Sequence, residues 1–231
     1  MKRLINILFP ERCIVCGKRL NTYEKYMCIC CLSEIPLTYF WNWHENPAEK
    51  ALWARINPER VISLYYYSHD NLYSDLIHKI KYNGNQQLGL WLGNMLGCKI
   101  LENDPLYLED IDYLIPVPLH LLRRMKRGFN QAEVIAKGIS SPTGKRLLNR
   151  VLIRKRHSAS QTGTEIKDKW ENVADAFVLK REAGYYKDLE GAHIALIDDV
   201  LTTGATIEAC SQALKGIKNL RISIITLAYV G

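Results

Sequence analysis

The sequence contains no long hydrophobic run. None of its apolar stretches approaches the roughly 20 residues that a membrane-spanning helix needs. The apolar run at residues 4–9 is too short for the core of a signal peptide, and no small-residue cleavage site follows it. We therefore expect a cytoplasmic protein with no membrane span. The reducing cytoplasm disfavours disulfides, so the 7 cysteines are expected to bind metal or to be buried.

Acidic residues are scarce in one segment. Residues 120–170 hold 13 lysines and arginines but only 3 acids, whereas the remaining residues hold 18 against 21. The net charge of +7 therefore comes entirely from this segment. Such a segment suits a polyanionic ligand, either a pyrophosphate or a nucleic acid, although a solvated basic face gives the same pattern.

The 231 residues, 48% of them hydrophobic, allow one α/β domain of ordinary size with a small appendage. Helical spacing of apolar residues is found between several strand-like segments. Strands are predicted at residues 61–67, 111–117, 147–154, 173–179, 194–197 and 222–230. This alternation, with polar residues clustered where strands end, predicts a doubly wound α/β domain.

Four of the cysteines have the spacing of a structural zinc site. Their pattern is C-x2-C-x11-C-x2-C, formed by Cys13, Cys16, Cys28 and Cys31. Two such pairs close together favour zinc over a redox C-x-x-C motif. Cys30 leaves the last ligand ambiguous, and the two-residue gap favours Cys31. A region this small needs a metal to fold, which predicts a zinc ribbon at residues 1–45.

The aromatic residues after these cysteines have two interpretations. Tyr39, Trp41 and Trp43 could stack the bases of a single strand. Residues of this kind more often pack a small module against a larger domain, and we favour that interpretation.

The most informative stretch reads IALIDDVLTTGAT, at residues 194–206. Its apolar start is typical of a parallel strand covered on both faces, so Asp198 and Asp199 are expected at the carboxyl end, where open α/β sheets bind ligands. The hydroxyl-rich loop after them is predicted to hold a phosphate at a helix N-terminus. The carboxylates would accept hydrogen bonds from sugar hydroxyls or face Mg²⁺. A buried strand followed by a capped helix is the non-functional alternative.

This stretch resembles the phosphoribosyl-pyrophosphate (PRPP) signature of the type I phosphoribosyltransferases. Further motifs cover nearly the whole chain: LFPxxCxxCG near the start, K-Y-x-G at residues 81–84, PVPL at 116–119, R-G-F-N-Q at 127–131, and R-x-R at 154–156 with Gln161. Together they resemble the ComF family, described as a zinc finger joined to a phosphoribosyltransferase domain. That family is associated with natural competence, the uptake and handling of single-stranded DNA. Cys30 departs from its pattern.

The resemblance implies a PRPP site with Mg²⁺, on a phosphoribosyltransferase-like domain at residues 46–231 with a hood segment near 60–100. Arg127 and Arg156 are implied catalytic residues together with the two aspartates. The implied PRPP-binding set is Asp198, Asp199, Val200, Leu201, Thr202, Thr203, Gly204, Ala205, Thr206, Pro118 and Leu119. The polar stretch from residue 155 to about 169 is predicted to be a loop that closes over bound ligand. Single-stranded DNA and other competence proteins are implied partners.

Two functions remain open. In the first, which we favour, the protein is a phosphoribosyltransferase whose acceptor the sequence does not identify, because the hood that selects it is the most variable part of such folds. In the second, the same site is a PRPP sensor or a relic, and the protein works through single-stranded DNA or other proteins. A turnover assay would separate them.

Overall fold

The computed structural model describes residues 10–154, 176–180 and 185–231. Its strands are β1 (Val61–Tyr66), β2 (Tyr113–Pro116), β3 (Arg146–Leu147), β4 (Leu152–Arg154), β5 (Phe177–Leu179), β6 (His193–Leu201) and β7 (Arg221–Tyr229). Five of them form one parallel sheet in the order β1-β7-β6-β2-β3, while β4 and β5 form a separate antiparallel pair. The predicted α/β fold with a parallel sheet is confirmed.

Helices cover both faces of the sheet. Those in the described ranges are α1 (Ile29–Ser33), α2 (Pro47–Lys50), α3 (Ser74–Tyr82), α4 (Gln86–Asn103), α5 (Pro105–Asp110), α6 (Leu121–Arg127), α7 (Gln131–Thr143), α8 (Tyr185–Leu189) and α9 (Ala205–Leu214), with a 3-10 turn at Phe40–Asn42. None of these helices is long and apolar enough to cross a membrane.

Strand β6 lies between two hydrophobic cores. Ala195 and Ile197 belong to the core that contains α3, α4 and α7, whereas Ile194 and Leu196 belong to the core that contains α9 and β5. Successive side chains of a strand point to opposite faces, so a strand covered on both faces needs apolar residues at every position. This explains the continuous apolar run that predicted the strand.

Helices α4 and α7 make the closest helix contact, through glycines. A Cβ atom on Gly93 would collide with the carbonyl oxygen of Ile135, and one on Gly138 would collide with the carbonyl oxygen of Leu90. The two backbones therefore touch, and α7 is held firmly against its neighbour. Because α7 directly follows α6, the helix that comes after β2, this packing positions one wall of the sheet's carboxyl edge.

The cysteine-rich segment packs on the same core as α3 and α4. Tyr73, at the start of α3, donates a hydrogen bond from its hydroxyl to the carbonyl oxygen of Cys31 at 2.8 Å. Trp41 is only 2% exposed, so it packs in the core and cannot stack on nucleic acid, whereas Tyr39 and Trp43 are 59% and 46% exposed. The packing interpretation is confirmed for Trp41.

Several predicted elements have different bounds in the structure. The strand predicted at residues 147–154 is two strands in different sheets, separated by a turn in which Arg150 has a left-handed φ of 65°. The basic residues after the PVPL motif form helix α6. Strand β1, inside the predicted hood segment, pairs with β7 as an edge strand of the main sheet. The predicted closing loop and Arg156 lie outside the described residues.

Candidate functional site

The two aspartates lie where the strand order changes direction. Strand β2 pairs with β6 only as far as Ile197, while β6 continues to Leu201 and stays paired with β7. Asp198 and Asp199 therefore have no neighbouring strand on the β2 side. Chain connections run in opposite directions from β2 and β6, and a crevice at such a point is the usual ligand site of open α/β sheets.

A cavity of about 510 Å³ occupies this crevice. The acid pair and the loop before α9 form one side of it, and cationic side chains of other segments form another. The charged and loop residues that line it are Lys81, Arg123, Arg127, Arg154, Asp198, Asp199, Thr202 and Thr206, and Pro118 and Leu119 line it too. Segments far apart in the sequence thus bring an acidic, a cationic and a hydroxyl surface together.

The surroundings of the acid pair disfavour the ionised form of Asp198. Burial, reinforced by the charge of Asp199, raises the pKa of Asp198 to about 7. The backbone N–H of Asp199 donates to Oδ1 of Asp198 at 2.8 Å, and Nζ of Lys81 pairs with Oδ1 of Asp199 at 3.0 Å. Carboxylate oxygens are ligands that Mg²⁺ prefers, so the pair fits that ion or a set of sugar hydroxyls.

The loop after β6 has the backbone of an anion cradle. Gly204 precedes α9 with a left-handed φ of 78°, and a Cβ atom there would collide with Leu52. Both the conformation and the space therefore require glycine. The first amides of α9 have no acceptor within the helix and point toward the loop, where Thr202 and Thr203 are exposed.

Not every residue of the predicted PRPP-binding stretch can contact a ligand through its side chain. Leu201 is 2% exposed and packs in the core, and Val200 and Leu201 still pair with β7. Val200 lines the cavity, as do Thr202 and Thr206. Strand β6 is thus longer than predicted, and the phosphate loop begins after Leu201.

Helix α6 and the start of α7 position Arg127. Its guanidinium lies over the ring of Tyr82, 5.2 Å from the ring centroid. Its Nε lies 3.2 Å from the side-chain amide of Gln131, whose oxygen accepts a hydrogen bond when the amide is turned to face the guanidinium. The side chain of Asn130 ties this corner to the loop after β2, donating to the carbonyl oxygen of Val117 at 3.0 Å. The predicted Arg127 is thus held at the cavity.

Arg154 is a site residue that the sequence named only as part of a motif. It lies at the end of β4, and its Nε is buried without a hydrogen-bond partner among the described residues. Burial, with the nearby charge of Arg123, lowers the pKa of this guanidinium. A half-buried cation with an unused donor beside the cavity is suited to an anionic ligand.

The four cysteines converge near the chain's start. The sulfur atoms of Cys13, Cys16, Cys28 and Cys31 all lie within 4.8 Å of one another. A tetrahedral zinc site with Zn–S bonds of about 2.3 Å has sulfur atoms about 3.8 Å apart, and the sulfurs of Cys16 and Cys28 are separated by 3.7 Å. The cluster can therefore hold a metal such as zinc.

The backbone around these sulfurs is also that of a metal site. Gly17 has a left-handed φ of 73°, which forms the tight turn after the first pair. Burial opposes ionisation of Cys13, but the backbone N–H groups of Cys16, Cys28 and Val15 outweigh it and lower the pKa to about 6. Cys30 is exposed and lies outside the cluster, because neighbouring residues of a helix point in different directions.

A second polar cluster has the contacts of a catalytic triad but is structural. His193 is within 2.8 Å of both Asp110 Oδ2 and Ser223 Oγ. Ser223 is fully buried, so no substrate can reach its hydroxyl. Arg221 donates to both carboxylate oxygens of Asp110 and lowers its pKa to about 2. The cluster closes the amino edge of the sheet, opposite the cavity.

Comparisons with known proteins show that the chain is similar in sequence to several of them. No family model matches the chain. It is 25% identical over 227 residues to Competence protein F of Haemophilus influenzae, covering 93% of this chain and 96% of that protein. It is 26% identical over 203 residues to the DNA utilization protein YhgH of Escherichia coli K12, covering 87% and 83%. It is 32% identical over 101 residues to Competence protein ComFC of Bacillus subtilis, covering 44% and 37%.

Proposed function

We propose that this chain is a competence protein of the ComF family, which its relatives and motifs support. We propose further that it binds PRPP in the cavity at the carboxyl edge of the sheet and acts as a phosphoribosyltransferase. The observation that carries the proposal is that one cavity combines the acid pair, the hydroxyl loop at the start of α9 and three arginines. These surfaces correspond to the three chemical parts of PRPP: a sugar diol, a monophosphate and a pyrophosphate.

Each part of the ligand has a matching surface. The 5′-phosphate fits the amides and hydroxyls of residues 202–206, where the helix N-terminus favours negative charge. Asp198 and Asp199 accept hydrogen bonds from the ribose hydroxyls, and the ligand displaces Lys81 from Asp199 as it binds. A phosphate placed directly against the two acids would be repelled, which fixes the orientation of the ligand.

Departure of pyrophosphate leaves a sugar with cationic character at its reacting carbon. Arg123, Arg127 and Arg154 line the cavity and stabilise the negative charge that develops on the leaving group. Mg²⁺ bound with PRPP adds to this charge neutralisation. The negative charge of the acid pair, next to the ribose, stabilises the positive charge on the sugar.

The biological setting follows from the relatives. Competence protein F and ComFC are named for competence, and YhgH for DNA utilization. We propose that the PRPP chemistry of this chain serves the uptake and handling of DNA in the same way. Residues of the cysteine cluster hold a structural zinc ion that fixes the N-terminal segment on the core.

Calorimetric titration with PRPP and Mg²⁺ tests the site. Replacing both Asp198 and Asp199 by Asn keeps the shape of the pair but removes its charge, and we expect at least tenfold weaker binding. Asp188 and Glu190 provide the matched control, because both are exposed and their amide variants remove the same charge. Equal affinity of the acid-pair variant and the control would contradict the proposal.

Turnover distinguishes an enzyme from a sensor. The wild-type protein, incubated with PRPP, Mg²⁺ and candidate bases or amines, is expected to release pyrophosphate, and Arg127→Met should slow this release. Tight PRPP binding without pyrophosphate release for any acceptor would instead support a PRPP-sensing module on the same fold.

A further inference from the structure

A second groove lies next to the PRPP cavity. It has a volume of about 560 Å³ and runs beside the loop after β2 and along strand β4. We call it the β4 groove. Pro118, Leu119, Asn130 and Arg154 line both the groove and the cavity, so the two are neighbours on one edge of the molecule. Nothing in the proposed PRPP chemistry uses the rest of the groove.

The groove follows the edge of a strand. Leu152, Ile153 and Arg154 all line it, and successive residues of a strand point to opposite faces. A surface that meets three successive residues therefore runs along the strand edge and not over one face. Within the described residues, β4 pairs with β5 on one side only. Such an edge is a template for an additional strand.

The side chains of the groove combine an apolar surface with unpaired cations. Leu121 and Ile153 are 39% and 40% exposed there. Arg124, Arg150 and Lys180 also line it, and among the described residues none of the three forms an ion pair. The one acid in the lining, Glu133, is neutralised by Lys137 at 3.0 Å. The matching ligand carries apolar and acidic groups together.

Two buried side-chain atoms in the lining, one acceptor and one donor, indicate which hydrogen-bonding groups a ligand must supply. Within the described part of the chain, Oδ1 of Asn149 has no donor and Nε of Arg154 has no acceptor, and both residues line the groove. A peptide backbone supplies N–H donors and C=O acceptors alternately. A phosphate chain supplies only acceptors, so it would leave Asn149 unsatisfied. None of the described lining residues is aromatic, which further disfavours single-stranded nucleic acid, since it stacks on aromatic rings.

We propose that the β4 groove binds an extended, acidic and apolar segment of a partner protein, which adds a strand to β4. The main chain of the segment pairs with the strand edge. Its apolar side chains cover Leu121 and Ile153, and its carboxylates pair with Arg124, Arg150 and Lys180. The partner would thereby lie beside the PRPP cavity, where its binding and that of the small ligand can influence each other through Arg154.

Fluorescence anisotropy with labelled peptides tests the proposal. The probe is a short peptide of alternating leucine and glutamate, which presents one apolar and one acidic face when extended. We expect micromolar binding, at least tenfold weaker binding to the variant Arg150→Glu with Lys180→Glu, and a clear loss with Ile153→Ser. Arg150, Ile153 and Lys180 do not line the PRPP cavity. The variants should therefore bind PRPP with unchanged affinity, and this binding serves as the check that they are folded.

A matched charge reversal provides the control. Lys215 and Lys218 are exposed near the opposite edge of the sheet, and Lys215→Glu with Lys218→Glu gives the same net charge. This control should bind the peptide as the wild type does.

Four outcomes would overturn the proposal. The first two are no binding of the leucine and glutamate peptide and equal binding of a serine and glutamate peptide. The third is loss of oligothymidylate binding instead of peptide binding in the groove variant, which would assign the groove to nucleic acid. The fourth is a concentration-dependent dimer that is lost in that variant, which would assign the groove to a second copy of the chain.

Discussion

Cys30 and Cys31 are adjacent in α1, yet only Cys31 is buried and places its sulfur in the cluster with Cys13, Cys16 and Cys28. We expect Cys31→Ser to lose most bound zinc and to lower the melting temperature, because a structural zinc site contributes directly to folding. Metal analysis and thermal unfolding of the purified protein measure both effects. Cys30→Ser is the matched control and should keep about one zinc per chain. A loss of zinc in this control would transfer the ligand role to Cys30.

Asp198 belongs to the proposed ligand site, but its buried charge lowers the stability of the fold. Its folded pKa of about 7 lies above the unfolded value of about 3.9, so between these values the folded chain holds a proton that the unfolded chain has lost. Stability therefore falls as the pH rises through this window and stays low above it. Without ligand, Asp198→Asn should be more stable than the wild type by about 1–2 kcal/mol at neutral and higher pH.

Thermal unfolding at about pH 5 and about pH 8 measures this difference. The advantage of Asp198→Asn should be larger at the higher pH, where the buried carboxyl of the wild type is ionised. Asp188→Asn, at an exposed position, should show no such dependence. An advantage that is equal at both pH values would mean that the buried charge is not its cause.

The sequence predicted those site residues that are consecutive in the chain and form a recognisable motif. Asp198, Asp199 and the loop to Thr206 are consecutive, so a strand, two acids and a helix start could be recognised together. Lys81 and Arg154 were visible only inside short motifs, because their roles depend on contacts between segments far apart in the chain. No periodicity in the sequence shows that Lys81 reaches Asp199.

At the scale of elements, the long strands and helices were predictable and their ends were not. In the turn between β3 and β4, Arg150 takes the left-handed conformation that glycine usually adopts. Because no glycine marks the turn, the sequence predicted a single strand at residues 147–154. Helix α6 was not predicted, because it has only 7 residues and none of them is buried. Such elements form because their neighbours hold them in place.

The contact between α4 and α7 gives a test of element packing. Gly138→Ala would push a methyl group into the backbone of α4, near the carbonyl oxygen of Leu90 and the N–H of Asn94. We expect a loss of about 1–3 kcal/mol in the free energy of unfolding, measured by denaturant titration. The helix propensity gained from alanine is about 1 kcal/mol and does not offset the collision fully.

Gly216→Ala is the control for this substitution. A Cβ atom at Gly216 meets nothing within 4 Å, so the change should alter stability by less than about 0.5 kcal/mol. If Gly138→Ala were equally harmless, the two helices would have room to move apart. PRPP affinity measured on the same variant would then show whether the α7 start and Arg127 depend on that packing.

At the scale of the whole molecule, several described cations of the basic segment lie along the carboxyl edge of the sheet. Arg123 and Arg127 line the proposed PRPP cavity and, with Lys126 and Tyr82, a further cavity of about 510 Å³ beside it. Arg124, on the same helix, lines the β4 groove instead. Helix α6 therefore divides the cationic surface into a part shared with the PRPP site and a part beside β4.

Single-stranded DNA should bind the part shared with the PRPP site. Its phosphates would contact Arg123, Lys126 and Arg127, which line the cavity beside that site. We expect the affinity for oligothymidylate to fall steeply with salt, with a log-log slope of roughly −0.7 for each phosphate neutralised. Reversing the charges of these three residues should flatten that slope by about 2.

Competition decides whether DNA and PRPP share this surface. Because Arg123 and Arg127 line both cavities, saturating PRPP with Mg²⁺ should weaken oligothymidylate binding, whereas the β4 groove variant Arg150→Glu with Lys180→Glu should leave it unchanged. A salt series with and without PRPP measures both effects. Additive binding of the two ligands would separate the DNA surface from the PRPP site, and a flat salt response would mean that any contact of this protein with DNA is made through a partner.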